Sequence, residues 1–235
     1  MMRAILMAAG YGSRISRTIQ KPKSTLNVLN NTIIGHSVEL LINNGIEVAV
    51  VVGYRKQEIF DALKNYYVTY YFNPFFKVTN SMASLWFARE FLGGDGDVIL
   101  GNADVFFEQA VLNDLLHNKN EIAMLGDKSR VTTGDYFFRT DKEGFLSSYG
   151  KELTLEERTC EYVGLAKLRR DFIPTFKSLL EQKVDEEVYN MWWENVLYEN
   201  SVEHPVFIKD VDGKFWAEID VIEDYNRILS YLRSK

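Results

Sequence analysis

Cysteine is almost absent from this chain: Cys160 stands alone in 235 residues. A disulfide framework is thereby excluded and a reducing compartment fits, with Cys160 itself read as a small, semi-buried residue. Histidine is nearly as scarce. His36, His117 and His204 are the only three, and they share no metal-ligand spacing, so no histidine-based metal set is expected. Positive charge is in deficit, with 27 Lys and Arg against 33 Asp and Glu and a net charge of −6. That balance argues against a nucleic-acid surface or an anionic membrane as partner. No apolar run approaches the ~20 residues of a membrane span. The N-terminal apolar stretch is too short for a signal peptide and breaks at Gly10, so a cytoplasmic location is the default expectation. With four prolines there is no Pro/Gly/Ser linker, and no repeat or low-complexity tract. At 46% apolar residues the chain can bury a sizeable core, and one domain over 1–235 is expected.

What is present concentrates in the first 23 residues. Ala4 to Ala9 is an apolar run of the length of a buried strand, and Gly10-Tyr11-Gly12-Ser13-Arg14 follows it directly. Two glycines allow a tight turn and offer bare N–H groups to an anion. Arg14 and Lys23, the latter in Lys21-Pro22-Lys23, add positive charge. A dinucleotide fingerprint fails, because Ile15 stands where the third glycine belongs and Asn30 and Asn31 fall where the ribose-binding acid belongs. The P-loop pattern is absent. An ordinary strand-to-helix turn is the bland alternative, and the flanking cations favour a nucleoside triphosphate site over it.

Strand and helix signals alternate along the first half. Helical spacing covers Ile33 to Asn44, Lys56 to Asn65 and Ser81 to Leu92, the last with Ser81 as a cap. Strands are expected at Ile46 to Val52, Val68 to Phe72 and Val98 to Leu100. This order implies an α/β fold, a Rossmann-like, mostly parallel sheet flanked by helices, with the Gly10 turn and Asp104 at the same carboxyl edge. The second half is less regular. Strands are expected at Ile122 to Leu125, Tyr136 to Thr140 and Tyr162 to Leu168, and helices at Asp171 to Glu181, Glu186 to Glu199 and Asp220 to Leu232. A nucleotide-binding half at about 1–110 and an elaborated acceptor-binding, metal-completing half at about 111–235 are expected.

The segment from Ala8 to Arg14 with Lys21-Pro22-Lys23 resembles the signature of the nucleoside-diphospho-sugar pyrophosphorylase-like nucleotidyltransferases. Asn73-Pro74-Phe75-Phe76 with Thr79 to Trp86, and Phe215 to Asp220 with Glu223-Asp224-Tyr225, look like the branch that contains bacterial choline-phosphate cytidylyltransferases. The likeness spans Met2 to about Leu229; Ile15 and a compact loop before Pro22 depart from it. It implies the nucleotidyltransferase fold and transfer of CMP from CTP to a small phosphorylated acceptor. Such a transfer needs alignment and neutralised charge more than a strong base.

The resemblance also implies roles. Ala8, Ala9, Gly10, Gly12, Ser13 and Arg14 would hold the triphosphate, and Lys23 and Arg14 would act on its charge. Asp104 and Asp220 would hold Mg²⁺, a hard ion that prefers oxygen donors, although Asp220 would also serve as a helix cap. Glu218 is open between supporting the metal and plain exposure. Asn80, Ser81, Ser84 and Asn102 would read the nucleoside, with ordinary capping as the alternative for the first three. Tyr189, Trp192, Trp193 and Glu194, with Glu161, Tyr162 and Gly164, would bind the acceptor, because aromatic faces and a carboxylate suit an amine or quaternary ammonium; core packing is the alternative. Phosphocholine comes first, then 2-aminoethylphosphonate or phosphoglutamine. A sugar-1-phosphate nucleotidyltransferase, a non-catalytic nucleotide-binding regulator and a glycosyltransferase are the rivals. A monomer or homodimer is expected.

Overall fold

The structure, a computed structural model, describes residues 1–12 and 21–235. Strand β1 (Arg3–Ala8) forms the centre, because its apolar residues are buried on both faces, as an interior parallel strand requires. It pairs in parallel with β4 (Glu47–Val52) on one side and β6 (Val98–Asn102) on the other. β5 (Thr69–Phe72) adds a parallel edge strand to β4. The order β5-β4-β1-β6 is the doubly wound arrangement expected from the alternating signals.

Beyond β6 the direction reverses. β11 (Cys160–Leu168) runs antiparallel to β6 and carries β8 (Ile122–Asp127) and β9 (Phe137–Thr140), while β10 (Leu146–Gly150) pairs with β9 and β12 (Val206–Asp210) runs parallel to β8. Two short ribbons stand apart: β2 (Asn27–Val28) with β3 (Asn31–Thr32), and β7 (Val105–Phe107) with β13 (Trp216–Glu218).

Alternation along the strands splits the core between the two faces. Ile5, Met7, Ala49, Val51 and Leu100 pack toward α3 (Ser81–Phe87) and α5 (Ile173–Asp185). Leu6, Ala8, Val48, Val50 and Val52 pack toward α1 (Ile33–Asn43), α2 (Lys56–Ala62) and α4 (Gln109–Leu116). α1 starts where the Thr32 hydroxyl accepts a hydrogen bond from Gly35 N–H at 3.0 Å, and its Ile34, Val38 and Leu41 lie on one stripe.

Two expectations change. The helix from Ser81 is shorter than its spacing suggests, ending at Phe87 before a separate 3₁₀ turn at Arg89–Leu92, and its cap is Asn80, whose side-chain oxygen accepts from Ser81 N–H. The helix expected over Glu186 to Glu199 does not form: only α6 (Asn195–Tyr198) is helical. Glu187 takes a left-handed φ of 60°, and the following backbone turns to α3 instead of to itself. Asn80 N–H donates to Tyr189 C=O at 3.0 Å, Met82 N–H to Met191 C=O at 3.1 Å, and Trp193 N–H to Ser81 Oγ at 3.0 Å. The first N–H groups of a helix have no partner within it, and satisfying them from this segment outweighs the segment's own helical pattern.

The carboxyl ends of β1, β4 and β6 meet at one edge, where Tyr54 N–H donates to Ala9 C=O and Ala103 N–H to Met7 C=O. Gly53 permits this closeness: a Cβ there would lie 2.6 Å from the Ala9 carbonyl oxygen and 2.8 Å from Phe76 Cβ. Gly53→Ala should therefore destabilise the fold by about 1–3 kcal/mol, the usual range for overpacking a tight site. A lowered urea midpoint with an unchanged denaturant slope is the expected measurement.

Candidate active site

At this edge lies a cavity of about 420 Å³, walled at one end by Ala9, Gly10, Tyr11 and Gly12 and at the other by Tyr136, Tyr162, Trp192 and Tyr198. Lys23 stands on its floor. Pro22 is buried and opens a single 3₁₀ turn over Lys23–Thr25, which directs the lysine stem across Gly12. Gly12 takes φ +58°, and a Cβ there would meet the Lys23 stem at 3.2 Å, so glycine serves both the turn and the packing.

The Lys23 ammonium lies 2.5 Å from Asp104 Oδ2 and 2.9 Å from Asp220 Oδ1. Asp104 follows β6 directly. Asp220 arrives through the β7–β13 ribbon, where Glu218 is in register with Val105 and Ile219 N–H donates to Asp104 C=O at 3.1 Å. Asp220 is not the cap of α7 (Ile222–Arg233): Asp224 takes that part, its carboxylate accepting from Asp220 N–H and Val221 N–H. The Asp220 carboxylate is thereby left to face the cavity.

Burial alone would lower the Lys23 pKa, but Asp104, then Asp220 and Glu218, outweigh it and hold the ammonium above the ordinary lysine range. Glu218 shows the opposite imbalance. Burial, with the charge of Asp104, pushes its carboxyl well above the usual range against the pull of Lys23. Among the described residues three acids therefore gather about Lys23, with a fourth, Glu194, close by.

Asp104 and Asp220 converge on one point from two sides with oxygen donors only. Among the described residues no three His, Cys, Asp or Glu groups form a metal-ligand cluster. Two carboxylates, with the remaining positions left to phosphate oxygens and water, are the donor set Mg²⁺ accepts, so the residues present fit that ion.

The far wall is aromatic. Tyr136 stacks on Tyr198 at 5.9 Å between ring centroids and meets Trp192 edge-on at 5.6 Å. Behind them Glu194 is buried, and Asn102 Nδ2 donates to its Oε1 at 3.2 Å. Burial raises the Glu194 carboxyl to about 7. The Tyr162 and Tyr198 hydroxyls are both buried without a hydrogen-bond partner among the described residues. At the mouth Lys151 pairs with Asp135 at 2.6 Å.

Of the residues singled out in the sequence, the cavity gathers Ala9, Gly10, Gly12, Lys23, Asn80, Ser81, Ser84, Asn102, Asp104, Tyr162, Trp192, Glu194 and Asp220. Ser13 and Arg14 lie outside the described residues. Ala8 is inside β1, buried against the opposite face of the sheet from the cavity's Met7. Glu161 does not line the cavity. It alternates with Tyr162 along β11 and so points the other way, where Arg130 Nε donates to it at 2.5 Å and Asp135 N–H at 3.0 Å. Gly164 packs against Val105, 2.6 Å from where its Cβ would be. Trp193 is fully buried, its indole N–H donating to Asn102 Oδ1 at 3.1 Å. Tyr189 contributes its carbonyl to α3 and is not on the cavity wall. These last two follow from the absent helix, which changes which side chains face inward.

Tyr136, Tyr198, Tyr11, Phe76 and Lys151 line the cavity without having been singled out as site residues. Tyr136 and Tyr198 sit just before a strand and at a helix end, where an aromatic reads as core packing. The histidines have no part in the cavity; His36 Nε2 is 2.8 Å from the Phe107 carbonyl oxygen. Cys160 is buried, and burial pushes its thiol up to about 12.

Glu194 sets a pH dependence. The folded protein keeps its proton up to about pH 7 while the unfolded chain releases it near 4.5, so stability falls as pH rises between those values and levels off above. In Glu194→Gln this slope should be missing. Comparing urea unfolding at pH 5 and pH 8, the variant should gain on the parent by on the order of 3 kcal/mol across the window.

Comparison with known proteins accords with this geometry. Over 95% of this chain and 97% of its own length, the CTP:phosphoglutamine cytidylyltransferase of Campylobacter jejuni is 29% identical. The choline-phosphate cytidylyltransferase of Streptococcus pneumoniae is 26% identical over the whole of both chains. The solved structure of the CTP:phosphocholine cytidylyltransferase from S. pneumoniae superposes with a TM-score of 0.80 over 98% of this chain and 99% of that one, at 22% identity, and shares the fold. The family model described as the MobA-like NTP transferase domain matches residues 4–208. With a glycine turn, a lysine and two aspartates gathered at the carboxyl edge of its parallel strands, this chain belongs to that family and is a nucleotidyltransferase.

Proposed function

We propose that this chain is a Mg²⁺-dependent cytidylyltransferase that transfers CMP from CTP to a small phosphorylated or phosphonylated amino alcohol, phosphocholine first. One observation carries the reading. A single cavity has the Lys23–Asp104–Asp220 cluster and glycine turn at one end, and an aromatic wall backed by a buried carboxylate at the other. The relatives support the same class, one being a CTP:phosphoglutamine cytidylyltransferase and the other a choline-phosphate cytidylyltransferase.

In this reading an oxygen of the acceptor phosphate attacks the α-phosphorus of CTP, and the bond from that phosphorus to the bridging oxygen breaks to release pyrophosphate. The attacking oxygen is already anionic, so no residue needs to remove a proton. Gly10 and Gly12, with Ser13 and Arg14, serve the triphosphate through N–H groups and a guanidinium. Lys23 neutralises charge that grows at the α-phosphate. Asp104 and Asp220 would hold Mg²⁺, which supplies further charge neutralisation on phosphate oxygens. Residues 1–110 would serve the nucleotide and 111–235 the acceptor, with Asp220 crossing between the two tasks.

Tyr136, Trp192 and Tyr198 suit the cationic end of the acceptor, because ring faces attract an ammonium, and Glu194 places a carboxylate behind them.

Lys23 occupies the point where Asp104 and Asp220 converge, so the lysine and a metal ion compete for it. In Lys23→Ala turnover should fall about 100-fold or more, while Mg²⁺ alone should raise the melting temperature of the variant more than that of the parent. For the acceptor, pyrophosphate release should be followed with each NTP against phosphocholine, 2-aminoethylphosphonate, phosphoglutamine and hexose 1-phosphates. The reading predicts turnover with CTP and an amine-bearing acceptor. Turnover confined to hexose 1-phosphates would refute it.

A further inference from the structure

Tyr11, between the two glycines of the N-terminal turn, has no part in the chemistry described above, yet its ring stands on the cavity wall. It stacks on Tyr54 with ring centroids 4.2 Å apart and planes 28° from parallel, and it leans on Phe76 at 5.6 Å and 45°. Phe76 lines the same cavity. The three rings come from three separate places: the turn after β1, the turn after β4 and the loop before α3. They are held together by Tyr54 N–H donating to Ala9 C=O, and by Gly53, which admits Phe76 close to the backbone.

If this trio served packing alone, its rings would be buried. Tyr11 remains 39% exposed, although Tyr54 already covers one of its faces. The wall beside it changes character: beyond Phe76 and a two-residue gap come Thr79, Asn80, Ser81 and Ser84, all on the cavity. Asn73 holds this polar segment, its Nδ2 donating to Thr79 Oγ1 at 3.1 Å and to Ser84 Oγ at 3.0 Å. Above Gly10 an added Cβ would meet nothing within 4 Å. A flat apolar face, a polar edge at its side and open space between are what a planar heteroaromatic ring with hydrogen-bonding edges requires.

We infer that Tyr11, braced by Tyr54 and Phe76, is the stacking platform for the nucleobase, with the segment from Thr79 to Ser84 facing the base edge. The inference rests on the nucleotidyltransfer reading and adds a positioning role for a residue between the glycines. Tyr11 holds the base, and so fixes where the attached triphosphate lies along the Gly12 and Lys23 floor.

The test separates base from phosphates. Dissociation constants for CTP and for inorganic tripolyphosphate, which has no base, are measured by calorimetry with Mg²⁺ present. Tyr11→Ala should weaken CTP about tenfold or more, as expected for removing an aromatic partner from a base, and leave tripolyphosphate unchanged. Tyr11→Phe should bind CTP within about threefold of the parent, since the stacking face is kept. Tyr11→Trp should add indole emission to that of the parent's four tryptophans, and CTP should quench the added part while tripolyphosphate does not. Unchanged CTP binding in Tyr11→Ala overturns the inference, as does equal weakening of both ligands, which marks Tyr11 as a support for the turn. A parent protein that binds tripolyphosphate but not CTP overturns the cytidylyltransferase reading itself, and this inference with it.

Discussion

A lysine set among acids organises the cavity floor. Lys23 is the point on which Asp104 and Asp220 close, and Glu218 adds a third carboxylate that burial keeps partly reluctant to ionise. Without a positive charge there, the β7–β13 ribbon would bring mutually repelling groups to one place, and buried charges without partners are costly. The ribbon, the 3₁₀ turn after Pro22 and the glycine turn after β1 are three independent pieces of backbone, and the lysine is where they agree.

How much of this could be read from the chain depends on the distance over which each feature is determined. The four parallel strands were legible because each is a short apolar run punctuated by glycine or a polar turn, and their order followed from alternation with helices. Lys23, Asp104 and Asp220 were legible as residue types next to strand ends. What brings the two aspartates together is a three-residue ribbon, Val105–Phe107 with Trp216–Glu218, too short to declare itself by periodicity. Ser13 and Arg14, prominent in the sequence, lie outside the described residues.

The aromatic wall was the least legible part, and the reason is specific. Residues 186–194 have a helical pattern of apolar and acidic residues, yet their backbone binds the start of α3. That tertiary choice rotates Trp193 into the core and leaves Trp192 on the cavity. Two adjacent tryptophans with identical propensities thus end in opposite environments. Glu161 and Tyr162 make the same point within a strand, where alternation assigns one to an ion pair with Arg130 and the other to the site.

The binding of α3 by that segment also bears on where anions can sit. A helix start is ordinarily an attractive place for a phosphate, because its N–H groups point outward and its dipole is positive there. Here those donors are already directed at the Tyr189 and Met191 carbonyls and the Asn80 side chain. The helix nearest the cavity therefore offers little to a polyanion. Among the described residues, positive charge at the cavity is left to side chains, Lys23 beside the glycine turn and Lys151 beside Asp135.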